Sequence, residues 1–185
     1  MTNRGRVVRL MMAAVLATLP SGCATSGMAA SRSVIYDSVE SLSADSSAVV
    51  VVEVQAVSDV DGKAPMSAAD AVVTRAFDVP ALGRDVGSVD TLTAGASVTV
   101  LQLGTRGMGD TPAPLLQAGE TYLLFLTPSM LDGGKRSAFF VTGGTAGLYE
   151  SSGGPDFGHV ASDDPDRLPT SVSVVTERLV FNDKG

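Results

Sequence analysis

The chain has 185 residues, room for one ordinary domain with short tails, and its 44% hydrophobic and 18% charged content is that of a core-forming globular protein, not a disordered one. A formal net charge of −7 opposes nucleic acid as a partner, because such binding depends on Lys and Arg releasing counterions from phosphates. One Cys and one His exclude an intramolecular disulfide framework and, by themselves, a zinc site of the usual Cys/His kind.

The first element is a leader. Arg4, Arg6 and Arg9 form a positive start, and Leu10 to Leu19 is an apolar stretch of the length an export signal needs. Pro20-Ser21-Gly22 ends it well short of the roughly 20 apolar residues that cross a bilayer. Cys23, the chain's only Cys, follows the small pair Ser21-Gly22, and this placement resembles the lipobox of bacterial lipoproteins, although Pro20 stands where that family places Leu. The resemblance implies cleavage before Cys23, a diacylglycerol on its sulfur and attachment to the outer face of the cytoplasmic membrane. The other reading is an ordinary secretory signal cut after Ala24 or Ala29. Removal of residues 1–22 takes away three Arg and no acid, which lowers the net charge from −7 to −10. Lipid chains contribute about 0.8 kcal/mol per buried CH₂, so an acidic body does not oppose lipid attachment. Residues 23–33 read as the lipidated Cys and a flexible small-residue linker, and residues 34–185 as a single β-rich domain.

Within that domain, Asp37 followed by Glu40 is a capping-box variant that predicts a short helix over 37–43. The run Ala48 to Val57 is dense in β-branched residues and predicts a strand with Val52, Val54 and Ala56 facing the core and Glu53 and Gln55 facing water. Asp61-Gly62 and Pro65 mark a loop before a second strand over 71–79. A third strand is expected over 97–103, then a long glycine- and proline-bearing loop from Gly104 to Pro114. Thr121 to Leu126 is apolar on both strand faces, which predicts a central strand covered from each side. Asp132-Gly133-Gly134 reads as a hairpin connection into a strand over 137–142, which Leu148-Tyr149-Glu150 extends or re-pairs past a bulge. Asp163 to Pro169 reads as an acidic loop. In residues 171–180, Val172, Val175 and Leu179 fit a helix face while β-branched content favours a strand; the expectation taken here is a helix.

The fold class expected is mainly β: a small five- to six-stranded OB-like barrel with one or two short helices, closed so as to remove exposed strand edges. The succession Ala48 to Val54, Val98 to Gly104, Gly119 to Leu126 and Val141 to Gly147 is similar to exported bacterial domains of the OB type, and more distantly to the netrin and tissue-inhibitor-of-metalloproteinases module. Those inhibitors present a free amino-terminal Cys to zinc, a mechanism at odds with an acylated Cys23.

Candidate chemistry is sparse. His159, near Asp156, Asp163, Asp164 and Asp166, supplies the components of a Ser-His-Asp arrangement without a Gly-x-Ser-x-Gly elbow, so the preferred reading is a surface-loop His. The four Asp residues offer oxygen ligands for calcium but lack EF-hand spacing, and read as a solvated acidic loop. Gly104 to Gly109 and Gly143 to Gly147 invite a phosphate-loop reading, but without the Lys-Ser/Thr of a Walker loop they read as turns. Arg75, among apolar strand residues, suits bidentate carboxylate recognition or, more simply, a stem laid over the barrel with a wet guanidinium. No cofactor or metal site is implied, and Cys23, for lipidation, is the one site residue expected. The function expected is a non-enzymatic, membrane-tethered lipoprotein serving as an extracytoplasmic binding or interaction module. Its partners are then the membrane, through lipid on Cys23, and a protein of the cell envelope. The alternative is an exported hydrolase or metal-dependent enzyme using His159 and the nearby Asp residues.

Overall fold

The structure, a computed structural model, describes residues 34–62, 64–78, 92–109, 111, 113–131, 138–160, 166–176 and 178–182. The leader, Cys23 and the linker lie outside these, as do Asp132-Gly133-Gly134, Asp163 and Asp164. The expected mainly β, OB-like barrel is what the chain forms. One helix, α1 (Val39–Ala44), precedes nine strands: β1 (Ala48–Val60), β2 (Met66–Phe77), β3 (Ser97–Leu103), β4 (Thr121–Pro128), β5 (Ala138–Val141), β6 (Leu148–Gly153), β7 (Asp156–His159), β8 (Ser171–Val175) and β9 (Arg178–Asn182).

Five strands close on themselves in the order β1-β2-β3-β5-β4-β1, with β3 and β5 parallel and every other neighbouring pair antiparallel. From β4 the sheet continues through β6, β7 and β8 to β9. The barrel interior is filled by Val50, Val52, Val54, Ala69, Ala71, Val73, Val98, Val100, Tyr122, Leu124, Leu126, Phe139 and Val141. A second apolar layer lies outside the barrel wall. There Val49 and Val51 of β1 and Leu123 and Phe125 of β4 pack against Tyr36, Val39 and Leu42 at one side and against Tyr149, Phe157, Val172 and Val174. This double cover explains why β4 is apolar on both faces, as its sequence requires, and why Val49 to Val52 are buried without alternation.

Two β-bulges break the period-2 pattern. The pairing of β1 with β2 runs Val54↔Ala71 and then Ala56↔Asp70, so Gln55 is the extra residue. The bulge offsets the alternation by one: Val57 takes the inward position expected of Ala56, and Ala56 is exposed. The second bulge lies where Val52↔Val73 is followed by Val51↔Arg75, with Thr74 extra on β2 and its Oγ1 donating to the Val51 carbonyl at 3.1 Å. Without it, Arg75 would share the inward face with Val73, two residues away.

Three other expectations need correction. The cap of α1 is Ser38, not Asp37: Ser38 Oγ accepts from Ser41 N and Ser41 Oγ accepts from Ser38 N, a capping box made by two serines. The segment 171–180 is not a helix but the strands β8 and β9, since a strand lets Val172 and Val174 enter the outer layer while Ser171 and Ser173 face water. The second strand begins at Met66, five residues ahead of expectation.

The end of β5 shows the expected interruption before β6. Leu126↔Val141 and Leu124↔Leu148 put β5 and β6 on the same edge of β4, and between them both Thr142 and Gly147 bond to Phe125. Residues 143–146 are looped out there as a turn, consistent with the turn reading of that glycine run. One barrel end is closed by the segment before β4: Leu116 N donates to Gln102 Oε1 at 2.7 Å, Gln102 Nε2 donates to the Pro114 carbonyl at 3.0 Å, and Leu116 is buried. Among the described residues no helix is long and apolar enough to cross a membrane.

Candidate ligand-binding concavity

At Val51 the outer apolar layer is not closed over the barrel wall. A concavity of about 350 Å³ opens there, lined by Val51, Arg75, Thr121, Gly154, Pro155, Phe157 and Val174. Its floor is the barrel: Val51 projects outward from β1, and Thr121, opposite Glu53 in the register, stands on the same face at the start of β4. Its roof comes from the C-terminal strands. Gly153 and Gly154 take positive φ of 100° and 67°, which turns β6 sharply into β7. Val174 N donates to the Pro155 carbonyl at 2.7 Å and fastens that turn to β8. Phe157 and Val172 are paired across β7 and β8, and both are buried. On the opposite, wet face, Ser173 Oγ donates to Asp156 Oδ1 at 2.6 Å and accepts from Asn182 Nδ2 at 3.0 Å, tying β7, β8 and β9 together.

Among the described residues, Arg75 is the only charged side chain of the lining. The Thr74 bulge carries it to the outer face, where its Nη1 donates a long bond of 3.4 Å to the Thr176 carbonyl. Thr176 itself has φ of 57°, a left-handed conformation at the turn between β8 and β9. No carboxylate of the described residues forms an ion pair with Arg75, Glu53 included. The concavity therefore offers an apolar surface, one hydroxyl and one exposed guanidinium. This geometry suits a small molecule with an apolar body and few polar groups.

The other described sequence candidates fall elsewhere and do not converge. His159 is not in a surface loop; it lies in β7, half-buried, with its ring centroid 4.8 Å from that of Tyr149 and its Nε2 3.1 Å from the Thr145 carbonyl oxygen. Asp156 is on the wet face of β7 with Ser173, and Asp166 accepts from Tyr36 N at 2.6 Å, holding the segment before α1. Among the described residues no group of three His, Cys, Asp or Glu side chains is placed to hold a metal ion. Gly104 forms a turn with φ of 106°, and Met108 N donates to the Thr105 carbonyl behind it. Of the earlier candidates among the described residues, only Arg75 reaches the concavity. Thr121, Phe157, Val174 and the Gly154-Pro155 turn were not singled out. The signal for the turn was present, since Gly153-Gly154-Pro155 flanked by Leu148-Tyr149 and Phe157 has the composition of a hairpin.

Compared with known proteins, the chain matches no family model and no curated protein.

Proposed function

We propose that the protein is a non-enzymatic lipoprotein, tethered through Cys23 to the outer face of the cytoplasmic membrane, whose barrel domain binds a small ligand outside the cell's inner barrier. The concavity between the barrel wall and the C-terminal strands is the observation that carries the binding reading. The leader, the small pair Ser21-Gly22 and the lone Cys23 support the tether. The packing of His159 against Tyr149 supports a structural part for the imidazole in preference to a proton-transfer one.

Two measurements test this. For attachment, Cys23→Ser is expected to abolish labelling by a radioactive fatty acid and to release the chain from the membrane fraction; labelling that persists in the variant refutes the tether. For binding, the chain purified under native conditions from its own cells is expected to release an enriched small molecule when denatured, read by mass spectrometry. Absence of any compound enriched over a blank purification from cells lacking the chain would remove the binding reading.

A further inference from the structure

We infer that the concavity is a site for a small carboxylic acid with an apolar body, with Arg75 as the residue that selects the anion. The inference rests on the reading of the domain as a ligand binder and adds the chemical class of the ligand. Its first support is size. At about 350 Å³ the space lies near the small end of ligand pockets, which run from about 300 to 1,000 Å³, and it suits a ligand with one short chain or one ring. Its second support is the lining. Val51, Phe157 and Val174 present only carbon, and Thr121 adds a single hydroxyl, so a sugar or other multiply hydroxylated ligand would leave most of its polar groups without partners.

Charge supplies the third support. In a chain of net charge −7, Arg75 stands at this concavity without an ion-pair partner among the described residues and with only a long bond to the Thr176 carbonyl. Its remaining N–H groups keep the planar fork that matches a carboxylate with two parallel hydrogen bonds. The Thr74 bulge gives this placement its cause, because a regular strand would alternate Arg75 to the barrel interior. An acid entering with its apolar end toward Phe157 and Val174 leaves its carboxylate at the guanidinium. A neutral ligand of the same shape gains the apolar contact and forgoes the charge-assisted bonds.

The test uses the chain as exported and processed by its cell, held in a suspension of phosphatidylcholine nanodiscs with protein-free nanodiscs as the blank. Isothermal titration with 4-phenylbutanoate and with its neutral counterpart 4-phenylbutanamide is read for the native chain and for Arg75→Gln. The acid is expected to bind about tenfold or more tightly than the amide, and this preference is expected to vanish in Arg75→Gln. Nuclear Overhauser contacts from the bound phenyl ring to Phe157 and the Val174 methyls are expected in the native chain, which keeps the test independent of how the variant folds. Equal affinity for acid and amide, or a preference that survives in Arg75→Gln, overturns the assignment of the anion. Failure of both compounds to bind overturns the carboxylate class, while the co-purification measurement decides separately whether the domain carries a ligand at all.

Discussion

Gly147 occupies a position that admits no side chain. A Cβ there would sit 2.9 Å from Phe125 Cβ and 2.9 Å from the Thr142 carbonyl oxygen, one of them backbone that cannot yield without breaking the bond from Gly147 N to Thr142 O. Gly147→Ala is expected to lower stability by about 2 kcal/mol or more, whereas Gly107→Ala, where a Cβ meets nothing within 4 Å, is expected to be neutral. Urea titration checks this, and coincident midpoints for the two variants would refute it. Tyr149 is a second residue whose surroundings fix a measurable property. Burial pushes its pKa well above the ordinary tyrosine value, and the Asp166 charge adds to the effect. Because the folded state holds this proton more tightly than the unfolded chain does, its contribution is fully present below about pH 10. It is lost as the pH rises further, by about 1.4 kcal/mol per unit for each retained proton. Tyr122 is raised in the same direction, chiefly by desolvation. The Tyr149 hydroxyl is buried and has no hydrogen-bond partner among the described residues. Tyr149→Phe is therefore expected to keep or gain stability at pH 7 and to flatten the alkaline fall. A destabilised variant with an unchanged alkaline limb would contradict this account.

At the scale of the elements, β2 and its bulge carry the clearest expectation. Thr74 is the extra residue, so its deletion regularises the strand and leaves Val73 inward and Arg75 outward. The cost is the bond from Thr74 Oγ1 to the Val51 carbonyl and local twist, about 1–2 kcal/mol. Deletion of Val72, which lies in regular pairing with Glu53, instead slips one side of the strand by a residue and turns Ala69 and Ala71 out of the core. Circular dichroism melts are expected to show a folded Thr74 deletion and an unfolded Val72 deletion; equal losses would mean that the bulge does not set the register. Strands whose burial follows one unbroken pattern, alternating in β3 and continuous in β4, were legible in sequence. Ser97 to Leu103 matches β3 residue for residue, and the doubly apolar Thr121 to Leu126 run lies within β4. The segment 171–180 was not, because its valines satisfy a period of two and a period near 3.6 alike. Only the outer layer, by accepting Val172 and Val174 together, chooses the strand. Phe157 was missed for a related reason: β7 is four residues long and holds a glycine, so no local periodicity announces it.

For the molecule as a whole, the two apolar layers meet at β1 and β4. Val50, Val52, Leu124 and Leu126 face the barrel interior while Val49, Val51, Leu123 and Phe125 face the outer layer. Any opening that frees these strands must expose both layers, whereas β9 pairs only with β8 and leaves Val180 45% and Phe181 36% exposed. Hydrogen exchange followed by mass spectrometry is expected to show the slowest amides in β1 and β4 and fast exchange in β9. Protection in β9 matching that in β4 would overturn the view of a barrel with an appended cover.

By itself the sequence determined the acidic, core-forming character of the domain, the identity of β3 and β4, and the mainly β class, since composition and side-chain period act locally and survive without a fold. Tertiary structure alone decided which face Arg75 and Ala56 present, that residues 171–180 pair as strands, and that a concavity lies between the barrel and its cover. The reason is physical: a bulge shifts every following side chain to the other face through pairing with a distant strand, and a cavity exists only between surfaces brought together from separate parts of the chain.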